Sequence, residues 1–120
     1  MSTKKTTKSK KKYPIEQPYL TKNLDISTGH ISPNDGVLLD NSTEESNSPL
    51  IVYRYPEGWF VYVPQDDTEE DTEEEINQYK EYGMSEQFCN IIKIASKNKC
   101  KYIQFDCDGI EYEDLEIIEM

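Results

Sequence analysis

The sequence predicts an α+β domain in which a small antiparallel sheet of about four strands carries one main amphipathic helix and one or two short helices. Three observations predict it. Two runs rich in β-branched and aromatic residues flank Pro56, Glu57 and Gly58; one segment after Ser85 has a clear helical period; and the chain has only 120 residues, enough for a single modest core. That length excludes a two-domain enzyme. Nine Tyr, three Phe and one Trp supply large apolar bodies, so a folded interior is expected despite a hydrophobic fraction of only 35%.

The elements follow in chain order. Residues 1–22 read as a disordered lysine-rich tail and an extended arm, because Lys4, Lys5, Lys8, Lys10, Lys11 and Lys12 have almost no apolar company and Pro14 and Pro18 disfavour helix. Residues 23–120 read as a single acidic α+β domain. In Ile31-Ser32-Pro33-Asn34-Asp35, Ser32 is a plausible N-cap, Pro33 suits the first helical position and Asp35 complements the helix dipole, so a short helix through about Asp40 is expected, weakened by Gly36. The polar stretch 41–48 is a surface loop.

Residues 50–55 and 59–63 form the predicted hairpin. Alternation puts Ile51, Tyr53 and Tyr55 on one face and Val52 and Arg54 on the other, with Trp59, Val61 and Val63 opposed to Phe60 and Tyr62 on the partner strand. Both faces are partly apolar, so helix must cover at least one. Residues 66–75 hold eight acids in ten positions, whose mutual repulsion predicts a mobile acidic loop turning helical only from about Glu73 to Tyr82, where Gly83 stops it. Ser85 then caps a helix with Phe88, Ile91, Ile92 and Ala95 on one stripe. Residues 101–105 form a strand, Asp108-Gly109 a turn, and 111–120 a last strand with Leu115 and Ile117 buried.

Charge is the most informative functional feature. The whole chain carries −11, but residues 13–120 carry seven basic against 24 acidic residues, a net of −17. Such a body repels nucleic acid and attracts basic protein surfaces, leaving direct nucleic-acid binding only weakly open through the lysine tail. The candidate partner-binding residues are therefore Asp66, Asp67, Glu69, Glu70, Asp71, Glu73, Glu74 and Glu75, together with Trp59. A solvated loop that keeps the protein soluble is the competing explanation of the same acids. No apolar run approaches the ~20 residues of a membrane span, and no secretory signal is read, so a cytoplasmic protein is expected. Cys89, Cys100 and Cys107 lack metal-ligand spacing and read as free thiols.

Candidates for chemistry are weaker. Ile103-Gln104-Phe105-Asp106-Cys107-Asp108-Gly109 resembles the first motif of haloacid-dehalogenase-type phosphatases, but that family needs further motifs downstream and eleven residues follow Gly109, so a β-turn is expected. Asp106, Asp108 and Glu111 form a candidate cluster for a hard cation that is one ligand short of an EF-hand loop. His30 is the single histidine and reads as a packing or hydrogen-bonding residue. No cofactor and no catalytic residue is expected.

Three blocks together carry a resemblance: Gly29-His30-Ile31-Ser32-Pro33 with Leu38-Leu39-Asp40; Gly58-Trp59-Phe60-Val61-Tyr62-Val63-Pro64; and residues 102–109 running into Asp114-Leu115-Glu116-Ile117. Over residues 28–120 they resemble a family of small bacterial proteins, domain of unknown function 5983, often encoded on plasmids and integrative elements beside antirestriction and conjugation genes. The family pattern ends in an aromatic where Met120 stands here, and it lacks the acidic insert and lysine tail. The resemblance implies a genomic setting and a fold more than a mechanism, since the family has no established catalytic residues to carry over. The expected function is thus a non-enzymatic accessory protein of a mobile element that binds a macromolecular partner through an acidic and aromatic surface. Two alternatives stand beside it: a DNA mimic acting on a restriction or CRISPR-type nuclease, and a small acidic metal-dependent enzyme using Asp106 and Asp108.

Overall fold

A computed structural model describes Lys12, residues 14–65 and residues 68–118. The six-lysine tail falls outside the described residues except for Lys12, as do Asp66 and Asp67. Strand β1 spans Lys22–Ser27 and runs into a 3-10 turn at Thr28–His30. Helix α1 (Pro33–Ser42) and the hairpin strands β2 (Val52–Tyr55) and β3 (Gly58–Tyr62) follow. Helices α2 (Glu69–Tyr82) and α3 (Glu86–Lys97) lead to β4 (Cys100–Asp106).

Among the described residues these strands make one four-stranded sheet in the order β1-β4-β3-β2. The expected antiparallel sheet is mixed: β2 and β3, and β3 and β4, pair antiparallel, but β1 pairs with β4 in parallel, Leu24 opposite Ile103 and Ile26 opposite Phe105. A six-residue strand with two apolar positions has little local signal. It forms because β4, already paired to β3, offers its other edge.

Local chemistry explains the helix boundaries. Ser32 and Asp35 form a capping box at α1, each side chain accepting from the other's backbone N–H at 3.0 Å. Gly83 closes α2 in the left-handed region at φ 115°. Ser85 caps α3, whose buried stripe holds Phe88, Ile91, Ile92 and Ala95 as the periodicity requires, with Cys89 added.

Two further expectations fail. Residues 69–82 are helical from the first turn, although like charges were expected to keep the first half open. Thr68 accepts from the Asp71 N–H at 3.1 Å, and Glu69, Glu70 and Asp71 sit where the dipole favours anions. Ile76 and Tyr79 are buried and Glu73 reaches Lys93 at 3.2 Å, so tertiary anchoring offsets the repulsion.

The last strand does not form within 111–118, and Ile117 is 44% exposed rather than buried, with Leu115 only part-buried. This segment turns at Tyr112–Leu115 and is held by isolated bonds: Ser27 N–H to Ile110 O at 2.8 Å and Ile118 N–H to Gly29 O at 2.7 Å. Glu111, Glu113, Asp114 and Glu116 leave too few apolar positions to sustain a ladder.

The core lies on one side of the sheet. Val52, Val61, Ile103, Phe105 and Ile26 point into it, and Phe88 of α3 stacks on Phe105 at 5.8 Å. α1 covers the same side, since a Cβ on its Gly36 would stand 3.3 Å from the Trp59 ring. α2 packs on α3, with Tyr79 edge-on to Phe88 at 6.4 Å.

Candidate binding surface

With the helices on one side, the other side of the sheet faces out, and the strand register fixes what it displays. Reading across β2, β3, β4 and β1 gives three rows: Tyr55, Gly58, Asp106, Ser27; then Tyr53, Phe60, Gln104, Asp25; then Ile51, Tyr62, Tyr102, Asn23. The β2–β3 half is aromatic and the β4–β1 half is polar, apart from Tyr102.

Four of the rings form a continuous chain. Tyr55 lies 5.0 Å from Phe60, Phe60 6.4 Å from Tyr102, and Tyr102 5.7 Å from Tyr62, the last two contacts edge to face. These rings are part-buried by one another, whereas Tyr53 is 56% and Ile51 52% exposed at the margin. Nearby, Lys101 Nζ sits 5.9 Å from the centre of the Tyr102 ring, so this ring already accepts a cation.

The upper end of the face is fixed by a short polar network. Tyr55 donates to Asp106 Oδ2 at 2.5 Å, Gln104 Nε2 donates to the Tyr55 oxygen at 3.0 Å, and the Asp108 N–H donates to Asp106 Oδ1 at 2.7 Å. The Tyr55 hydroxyl and then the Asp108 N–H hold the Asp106 carboxyl below its ordinary value. Burial, followed by the same carboxylate, pushes the Tyr55 phenol up, so it stays a neutral donor. Gly58 is required here because a Cβ would overlap the Phe105 carbonyl oxygen.

The residues singled out in the sequence are distributed over three places. Glu69, Glu70, Asp71, Glu73 and Glu74 are exposed along α2 and Glu75 is part-buried, forming a charged ridge separate from the ring face. Trp59 points to the helix side, where Nε1 donates to Asp40 Oδ1 at 2.9 Å and the Arg54 guanidinium lies 4.8 Å from its ring.

Asp106 and Asp108 flank the turn closed by Gly109 N–H to Asp106 O at 2.9 Å, the β-turn the sequence predicts. Their donor atoms gather with the Cys107 sulfur within 4.8 Å, whereas Glu111 is not in the group. Both Asp106 oxygens already accept hydrogen bonds. Desolvation and then the Asp108, Asp106 and Glu57 carboxylates raise the Cys107 thiol, which disfavours the thiolate a nucleophile or ligand needs.

His30 and Asp35, both fully buried, serve the fold. His30 Nδ1 lies 2.9 Å from Glu116 O and so carries the proton, while Nε2 accepts from Tyr112 N–H at 2.9 Å, which pins the C-terminal segment. Asp35 accepts from Ser32 N–H and, across to α3, from Ser85 N–H at 2.9 Å and Ser85 Oγ at 2.6 Å. One carboxylate thereby joins the starts of two helices. Among the described residues, the hydrogen bonds of the His30 ring go to Glu116 and Tyr112 and those of the Asp106 carboxylate to Tyr55 and Asp108.

Fold and surface together define a small α+β domain with helices on one side of a mixed sheet and a ring-lined face on the other. The chain belongs to the family of unknown function DUF5983, whose C-terminal domain matches residues 23–120. No curated protein and no solved structure matches it. Among the described residues, no helix is long and apolar enough to cross a membrane.

Proposed function

We propose that this chain is a non-enzymatic accessory protein of a bacterial plasmid or integrative element, which acts in the cytoplasm by binding a basic protein partner across the ring-lined face of its sheet. One observation carries the reading: five rings and Ile51 stand on the face that none of the described helices covers, in a body of net charge −17. Aromatic faces attract guanidinium and ammonium groups, and the surrounding carboxylates steer them in. Nucleic acid would meet the same rings but be repelled by the charge.

DNA mimicry against a restriction or CRISPR-type nuclease is a second reading, favoured by the exposed carboxylates on successive turns of α2. One experiment separates the two. Partners captured from a bacterial host at low salt are challenged with Tyr53→Ser and Tyr62→Ser, and in parallel with Glu69, Glu70, Glu73 and Glu74 changed to Gln. Release by the ring substitutions alone supports the sheet face; release by the α2 substitutions alone sinks it in favour of mimicry.

A further inference from the structure

We infer that the lysine-rich N-terminal segment, residues 1–12, is a built-in competitor for the ring-lined face, lying across it in cis and yielding to a basic partner. The inference deepens the function proposed above and rests on that face being the binding surface.

Charge complementarity is the first argument. The first fifteen residues contain six lysines and no acid, so every charged side chain in the segment is a cation. None of the twelve residues in the three rows of the face is basic, while Asp25 and Asp106 belong to those rows and Glu57 stands at the adjoining hairpin turn. The molecule already holds such pairings on its own rings. Lys101 lies 5.9 Å from the Tyr102 ring centre, and Arg54 lies over Trp59 with Asp40 at 3.8 Å.

Chain geometry is the second argument. The arm, residues 14–21, is exposed throughout and enters the sheet at Lys22, beside the row that holds Asn23, Tyr102, Tyr62 and Ile51. The arm therefore joins the sheet at the margin of the face, on the side of the Tyr102 and Tyr62 rings, and tethers residues 1–12 to that margin. Twelve extended residues reach about 40 Å, and four strands span only about 15 Å.

The third argument selects this face over the acidic ridge of α2. Ile15 and Leu20 of the arm are 83% and 81% exposed, and Tyr53 and Ile51 are the exposed apolar margin of the sheet. A basic segment on the ring face lets these apolar groups cover each other, whereas residues 69–75 of α2 offer carboxylates without rings. Glu73 is in any case already paired with Lys93 at 3.2 Å.

The consequence is a threshold on partner binding. A partner must displace a tethered competitor whose effective concentration is on the order of millimolar, so weakly basic proteins are refused and strongly basic ones accepted.

The test compares the full-length chain with a full-length variant in which Lys4, Lys5, Lys8, Lys10, Lys11 and Lys12 are all changed to Gln. At low salt, NMR signals of the Tyr53, Phe60, Tyr62 and Tyr102 rings should differ between the two chains, independently of protein concentration, and converge at high salt. A synthetic peptide with the sequence of residues 1–12 should move the same signals in the glutamine variant and bind it about five- to tenfold more tightly than it binds the unaltered chain. Identical ring signals would overturn the inference, as would differences confined to the amides of α2. Differences that grow with protein concentration would overturn it as well, by assigning the segment to a second copy. In each of those cases the proposed function still stands if Tyr53→Ser releases the basic partner, so the two claims fail separately.

Discussion

The two faces of this sheet are built from the same strands, yet only one packs against the helices. On the covered face Val52, Val61, Ile103, Phe105 and Ile26 are at most 5% exposed and mesh with α1 and α3. On the other, Tyr55, Phe60, Tyr62 and Tyr102 contact one another and stay part-buried, and Tyr53 is exposed. The composition differs accordingly: aliphatic groups fill the dense interior, and tyrosines, with a polar tip on an apolar body, occupy the side that stays wet. Apolar area that stabilises little where it stands can still stabilise a complex.

Substitutions that tie the faces together or empty one of them test this comparison directly. Gly58 belongs to the open face but backs on the Phe105 carbonyl, so Gly58→Ala forces β3 away from β4 and should cost more than about 4 kcal/mol, seen as loss of cooperative thermal unfolding. On the covered face, Phe105→Ala should cost about 3–5 kcal/mol by chemical denaturation. A loss below about 1 kcal/mol would mean that the core is not where the fold places it.

Asp35→Ala leaves the Ser32 and Ser85 N–H groups without their acceptor and should cost about 2–4 kcal/mol, although it deletes little apolar area. Asp106 works more weakly and through pH. Its folded-state value is depressed, so its bonds to Tyr55 and Asp108 stabilise fully above the ordinary carboxylate value and weaken as pH falls through the depressed one. The Tm difference between the native chain and Asp106→Asn should accordingly be present at neutral pH and close in strong acid. Smallest in stability is Tyr53→Ser, expected within about 0.5 kcal/mol of the native chain. Its effect should appear in partner binding, and a large stability loss there would show that the open face also holds the fold.

Much of the fold is legible in the residues where the signal is local. Ser32, Pro33 and Asp35 announce α1, Gly83 announces the end of α2, and Ser85 with its apolar stripe announces α3, because caps and periodicity act within a turn or two. The hairpin and the sorting of Val52 and Val61 away from Tyr53 and Phe60 are legible for the same reason. The candidate surface is half legible: alternation separates the two sets, but nothing local states which set the helices cover. Trp59 illustrates the limit, since its side chain belongs with Val61 and meets α1 while staying only part-buried.

The sequence by itself determined the helix starts and stops, the hairpin, a strongly acidic body and a lysine-rich beginning, all consequences of neighbouring residues and of simple charge. Tertiary structure alone decided that β1 runs parallel to β4, that α2 begins in the midst of its acids, that residues 111–118 form no strand, and that five rings stand on the face opposite the helices. Those outcomes depend on contacts between residues up to some eighty positions apart, such as His30 with Tyr112 and Leu24 with Ile103. Their free energy exists only once the distant partner is in place, so it leaves no trace in the local pattern.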